Sequence, residues 1–271
     1  MLAFSTDPAT LLFGRIIVTM RGLKSKPVIV TGGGSGIGRA IAGRLAAEGA
    51  VVGILDINGQ AAEAAASALR ETGGRASGYE VDIVDYEAVA RAVDSFETAA
   101  GPIGGLVNNA GWDKAVRFVD SDRDLWRKVI DINLWGPLNV THVVLKKMVK
   151  HGKGHVVSIA SDAGRVGSSG EAVYSACKGG IAAFGKTLAR EVARQGIVFN
   201  TVCPGPTDTP LFATVSEAAA GLAEALKKAI PLRRLGQPDD YPGIVCFLLS
   251  DDASFITGQT ISVSGGLTMH G

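Results

Sequence analysis

The chain has 271 residues, 46% of them hydrophobic, with 27 Lys and Arg against 26 Asp and Glu and a formal charge of +1. That length and apolar content suit one α/β domain with a large core, and the balanced charge, without any long basic block, excludes the phosphate-backbone footprint of a nucleic-acid partner. Three scattered cysteines, Cys177, Cys203 and Cys246, are odd in number and lack C-x-x-C spacing, which argues against a disulfide framework or a metal site and for a reducing cytoplasm.

In residues 1–19, Asp7, Pro8, Gly14 and Arg15 interrupt the apolar segments Leu11 to Phe13 and Ile16 to Val18. No run approaches the ~20 apolar residues of a membrane span, and no basic region precedes an apolar one as in a signal peptide. This segment reads as a dispensable extension ahead of a single domain, 20–271, with no membrane partner.

From Lys26 onward, short β-branched runs alternate with Ala-rich helical stretches. Strands are predicted at Val28 to Thr31, Val51 to Leu55, Ala76 to Val81, Gly105 to Asn108, His155 to Ile159, Val198 to Val202 and Thr260 to Val263. Helices are predicted near Ile37 to Glu48, Gln60 to Glu71, Tyr86 to Ala100, Asp122 to Lys150, Val173 to Arg194 and Pro238 to Leu249. Near-continuous apolar strands in a βα repeat imply a single-domain Rossmann fold: a doubly wound parallel sheet of about seven strands with helices on both faces. Such sheets bind ligands at the carboxyl ends of their strands.

The first strand runs into Gly32-Gly33-Gly34-Ser35-Gly36-Ile37-Gly38 and then a helix. Glycines there let the backbone turn sharply and approach a pyrophosphate, which the N–H groups and positive dipole end of the following helix attract. Asp56 ends the second strand, where a carboxylate accepts the ribose hydroxyls of an adenosine, and a 2′-phosphate would meet a like charge; this points to NAD. Asp82 and Ile83 follow the third strand, placed to hold the adenine. Asn109-Ala110-Gly111 follows the fourth, its small residues allowing close passage of a ribose.

Tyr174 and Lys178 stand four residues apart and share one helix face. At about 5 Å and an effective dielectric of about 20, the lysine charge favours phenolate by roughly 3 kcal/mol, about two units off a free tyrosine pKa near 10. Such a tyrosine exchanges protons with an alcohol near neutral pH. Cys177, between them, reads as a small packing residue rather than a nucleophile.

These residues together resemble the short-chain dehydrogenase/reductase family from about Lys26 to the C-terminus. The resemblance is carried by Thr31-Gly32-x-x-x-Gly36-x-Gly38, Asn108-Asn109-Ala110-Gly111, Ser161, Tyr174-x-x-x-Lys178 and Pro204-Gly205, present in the family's order. It implies that Tyr174 is the acid or base, that Ser161 hydrogen-bonds the substrate oxygen, that Lys178 tunes the tyrosine and holds the nicotinamide ribose, and that Asn133 completes a proton relay. It adds Pro204, Gly205 and Thr207 to the NAD contacts, requires no metal, and implies a homotetramer built through the helices near Asp122 to Lys150 and Val173 to Arg194. Within the family, Asn109-Ala110-Gly111-Trp112-Asp113, the run Ala160 to Ala172, Cys203 to Thr209 and the tail Phe255 to Met269 are similar to 2-hydroxycyclohexanecarboxyl-CoA dehydrogenases and to dehydrogenases of other ring-bearing secondary alcohols.

Substrate choice is expected in the loops over the strand ends, with Trp112, Ser161, Asp162 and Tyr174 as contacts and 207–235 as a lid. Lys227, Lys228, Arg233 and Arg234 either meet the phosphates of a CoA ester or form a solvated face. The expected activity is NAD-dependent interconversion of a ring-bearing secondary alcohol and its ketone. The alternative is a 3-oxoacyl thioester reductase, which in this family usually prefers NADPH and against which Asp56 counts. A non-catalytic dinucleotide-binding protein is the reading of another class; such proteins lose Ser, Tyr or Lys, and here all three stand.

Overall fold

In a computed structural model, residues 20–210, 212–213 and 221–269 are described; the expected N-terminal extension lies outside them. Seven parallel strands form one sheet in the order β3-β2-β1-β4-β5-β6-β7. They are β1 (Pro27–Thr31), β2 (Val51–Asp56), β3 (Arg75–Glu80), β4 (Gly105–Asn108), β5 (Gly154–Ile159), β6 (Ile197–Pro204) and β7 (Thr260–Val263). Successive side chains of a strand point to opposite faces, so an apolar run buried on both sides must feed two cores. Val28 and Val30 pack with Ile41, Leu45, Val245 and Leu248 on one face, while Ile29, between them, packs with Val93, Phe96, Val144 and Met148 on the other. Each fully enclosed Val, Leu or Ile contributes about 1.5–3 kcal/mol. The edge strand β3, Arg-Ala-Ser-Gly-Tyr-Glu, has one buried residue and accordingly the weakest apolar signal.

The helices are α1 (Gly36–Ala47), α2 (Gly59–Glu71), α3 (Tyr86–Ala100), α4 (Arg123–Ile130), α5 (Gly136–His151), α6 (Ala163–Val166), α7 (Ala172–Glu191), α8 (Leu222–Ala229) and α9 (Pro242–Leu249). Side chains of Asn58, Asp85 and Asp122 accept backbone N–H groups of Ala61, Ala88 and Leu125, fixing the starts of α2, α3 and α4. No described helix is long and apolar enough to cross a membrane.

The expected helix Asp122 to Lys150 is two helices joined by a widened π turn, Asp131–Trp135. Pro137 explains it: proline has no N–H to give the Asn133 carbonyl one turn back, and its ring crowds that carbonyl. The Gly136 N–H instead reaches Asp131 O. Pro242 likewise divides the expected helix Pro238 to Leu249 into a 3-10 turn, Pro238–Asp240, and α9. Val173 to Arg194 resolves into α7 and a 3-10 turn at Ala193–Gln195. Of the expected lid, residues 211 and 214–220 lie outside the described residues. Its helical character is found in α8, and its two ends close on each other through the Thr207–Gly236 bridge.

Candidate active site

All seven carboxyl ends of a parallel sheet face one edge, and that edge gathers most of the residues singled out from the sequence. At the β1–α1 turn, Gly32 and Gly36 have positive φ, 62° and 52°. A Cβ on Gly38 would fall 2.3 Å from Gly32 O, and one on Gly34 would fall 2.9 Å from Asp56 Oδ2, so the turn closes only with glycine at these places. Over Gly36 the space is open, the nearest atom to a built Cβ being Thr209 Cγ2 at 3.8 Å. Ser35, the residue before α1, makes no capping bond with its side chain. This glycine cradle before a helix N-terminus fits a pyrophosphate.

Asp56 sits at its side, where Oδ2 accepts from Gly34 N at 2.9 Å and Oδ1 from Asn58 N at 3.0 Å. These two bonds fix the carboxylate where an adenosine ribose would lie beside the turn. Asp82 is exposed and accepts from Val84 N, while Ile83 is buried against Gly136 and its carbonyl accepts from Asn139 Nδ2 at 3.1 Å. Thr31 Oγ1 accepts the N–H groups of both Asn109 and Ala110, and Asn109 Nδ2 donates to Thr31 O and Gly32 O. Four hydrogen bonds thus lock β1 to β4 at the point where the strand order reverses.

Pro204 ends β6 and Gly205 follows it, with Gly205 N bonded to Val263 O and its Cα pressed on Ser264. Thr207, expected as a cofactor contact, is buried with its hydroxyl bonded to Gly205 O and Tyr241 Oη. The side chain braces the loop, and the Thr207 carbonyl accepts from Thr209 Oγ1 at 3.4 Å.

The catalytic candidates meet at the ends of β5 and β4. Ser161 Oγ accepts from Ala163 N at 3.1 Å and faces the Tyr174 phenol, whose pKa it lowers. Lys178 is buried, donates to Ile159 O at 3.1 Å, and holds Nζ 5.4 Å from the Tyr174 ring centre. Asn133, in the π turn and fully enclosed, donates to Trp112 O at 2.6 Å and Val129 O at 2.9 Å and accepts from Trp112 N at 3.3 Å. Its Oδ1 and Lys178 Nζ both crowd Gly111, at 3.0 and 3.3 Å from where a Cβ would stand.

Electrostatically the pair departs from what its spacing alone predicts. Burial pushes the Tyr174 phenol above its ordinary pKa, the Glu171 and Asp113 carboxylates add to this, and the Ser161 hydrogen bond opposes it. Burial also holds Lys178 down to about 8. The Coulomb attraction assumed between the two groups is overridden because both leave water.

Asp162 departs from its expected place as a substrate contact. It is buried, its Oδ1 bonded to the Ser262 hydroxyl of β7, which Arg165 also contacts. The Trp112 ring carries Lys128 Nζ 3.9 Å above it. Lys227 pairs with Glu224 and Arg234 with Asp240, in line with a solvated face. Cys177, Cys203 and Cys246 are free and buried, Cys177 as packing.

Two acidic residues that the sequence reading did not select lie here as well. Asp113, two residues past Gly111, is 6% exposed, and Glu171 immediately precedes α7. The available signal was Glu171's position three residues before Tyr174, on the same helix face.

A family model described as Enoyl-(Acyl carrier protein) reductase matches residues 32–268. An acetoacetyl-CoA reductase from Shinella zoogloeoides is 41% identical over 89% of this chain and 98% of its own. The chain belongs to the short-chain dehydrogenase/reductase family. A 3-oxoacyl-[acyl-carrier-protein] reductase from Aquifex aeolicus is 37% identical, covering 90% of this chain and 98% of its own, and a (3R)-3-hydroxyacyl-CoA dehydrogenase from Rattus norvegicus is 36% identical, covering 91% and 98%. As a member of this family the chain is an oxidoreductase that uses a nicotinamide dinucleotide. These relatives carry thioester names, so the expected ring-bearing alcohol finds no support among them, and the thioester alternative fits better.

Removing the Asn133 side chain tests the geometry of this site. Asn133→Ala strands the Trp112 and Val129 carbonyls, and thermal unfolding should show a loss of about 1–3 kcal/mol together with a fall in kcat. Unchanged melting and unchanged kcat would refute the positioning role.

Proposed function

We propose that this oxidoreductase interconverts a 3-hydroxyacyl thioester and its 3-oxo form, with NAD as cofactor. The observation that carries the chemistry is the Tyr174 phenol facing Ser161, with the buried Lys178 Nζ 5.4 Å from its ring centre. The substrate class rests on the relatives, whose names are those of acetoacetyl-CoA, 3-oxoacyl carrier-protein and 3-hydroxyacyl-CoA enzymes. In 2-hydroxycyclohexanecarboxyl-CoA, too, the alcohol stands β to the thioester carbonyl, so the sequence resemblance and the relatives share one reacting unit.

The glycine turn, Asp56 and the Asn109–Gly111 backbone would hold the dinucleotide, and Lys178 its nicotinamide ribose. When bound, the dinucleotide accepts or supplies the hydride. Tyr174 Oη takes the alcohol proton during oxidation and returns it during reduction. Ser161 donates to the substrate oxygen and stabilises its alkoxide character. Lys178, held down to about 8 and so half protonated at that pH, can take up and release protons without a fixed charge being trapped in the interior. Asp56 supports NAD over NADP because its fixed carboxylate would repel a 2′-phosphate, and the neighbouring Ile57 and Ser35 bring no cation. A homotetramer in the cytoplasm belongs to the same proposal, supported by Ile130 and Trp135, which stand exposed where α4 meets α5.

Absorbance assays of NADH formation with 3-hydroxybutyryl-CoA, cyclohexanol and 1-phenylethanol separate the substrate readings. The thioester should be oxidised with kcat/KM at least about a hundredfold above either alcohol. Turnover of the ring alcohols with none of the thioester would overturn this assignment. In Asp56→Ala the Kd for NAD should rise about tenfold, or about 1.4 kcal/mol, and an unchanged Kd would remove the case for NAD.

A further inference from the structure

The loop after β4 and the start of α7 bring two carboxyl groups together beside the acid–base tyrosine. Glu171 precedes Tyr174 by three residues on one helix face, and Asp113 follows Trp112, whose backbone Asn133 holds. The Asp113 carboxyl is nine-tenths enclosed, its Oδ2 takes no donor, and it stands close enough to Glu171 to feel that group's charge. Both line one groove with Gly170, Tyr174 and the stacked rings of Phe118 and Trp126, whose centres are 5.0 Å apart.

Two carboxyl groups lining one groove, one of them nearly cut off from water, cannot both ionise cheaply. Burial above all, with the charge and hydrogen bond of Glu171, pushes Asp113 up to about 7 against the Lys114 amide and the Lys178 ammonium. The groups facing the pair are Lys114 on its own loop, Tyr174, Cys177 and Lys178 on α7, and, from α4, Lys128 over the adjoining Trp112 ring. An ionised carboxylate only accepts hydrogen bonds, whereas a protonated one in an apolar groove donates one.

We propose that Asp113 keeps a proton beside the Glu171 carboxylate and donates it from its unpartnered Oδ2 as a hydrogen bond to the acyl carbonyl of the substrate, while Ser161 and Tyr174 hold the oxygen two carbons away. The inference rests on the thioester reading above. It makes the pair specificity-determining: a neutral acyl carbonyl is accepted, and a free carboxylate in its place meets the pair's remaining negative charge.

The donor exists while the pair holds its proton, below about pH 7, and is lost as pH rises past it. Steady-state kinetics with NAD and 3-hydroxybutyryl-CoA from about pH 6 to about pH 9 should therefore show the thioester KM rising roughly fivefold to tenfold, the worth of one hydrogen bond, with the KM for NAD flat. Glu171→Gln and Asp113→Asn supply an amide donor at every pH, so each should flatten that rise in KM. Glu171→Gln should also lower the KM for free 3-hydroxybutyrate. A flat wild-type KM, or a Glu171→Gln profile that still rises like wild type, overturns the pair's role alone. Absence of turnover on any thioester overturns the proposed function and this inference with it.

Discussion

The enclosed side-chain amide of Asn133 is the constraint on which the site depends. It ties the π turn before α5 to the backbone of Trp112, two loops that share no strand ladder. Pro137 makes this possible by freeing the Asn133 carbonyl's turn from regular helix geometry, so that the side chain can point at β4 rather than along the helix surface. Once Trp112 is held, Gly111 fits between Asn133 Oδ1 and Lys178 Nζ with no room for a side chain, and Asp113 is carried into the groove that Glu171 also lines. The helices, the loop and the reacting groups are therefore one mechanical unit.

Within that unit, burial rather than pairwise attraction sets the charges. Lys178 and Tyr174 leave water together, and each moves toward its neutral form. A neutral phenol beside a lysine that titrates near pH 8 suits a proton that must travel in both directions, because neither state of the pair is trapped. The Thr31–Asn109 lock at the sheet's switch point places the glycine turn and the tyrosine on one edge, and so joins a dinucleotide cradle to a proton-transfer pair.

Much of this was legible in the chain. Strands β1, β4 and β5 announced themselves because Val28, Ile29 and Val30 feed two opposite cores, leaving no polar interruption. The glycine turn and Tyr174-x-x-x-Lys178 were legible because their spacing is itself the geometry. The π turn was not, since a proline in a helical run marks a defect without saying which side chain will fill it. Nor was the direction of the tyrosine's shift, because spacing carries the Coulomb part of a pKa and omits the burial. Asp113 and Glu171 meet only through the sheet order, and Asp162, adjacent to Ser161, alternates away from it toward Ser262.

The account's central claim is that Tyr174 moves the substrate proton at a site whose dinucleotide cradle is independent of it. The most direct test is Tyr174→Phe, measured for NAD affinity by fluorescence titration and for turnover of 3-hydroxybutyryl-CoA. Turnover should fall about 10²- to 10⁴-fold, the usual contribution of a general acid–base group, with the Kd for NAD within about twofold of wild type. Turnover retained within about threefold of wild type would contradict the claim.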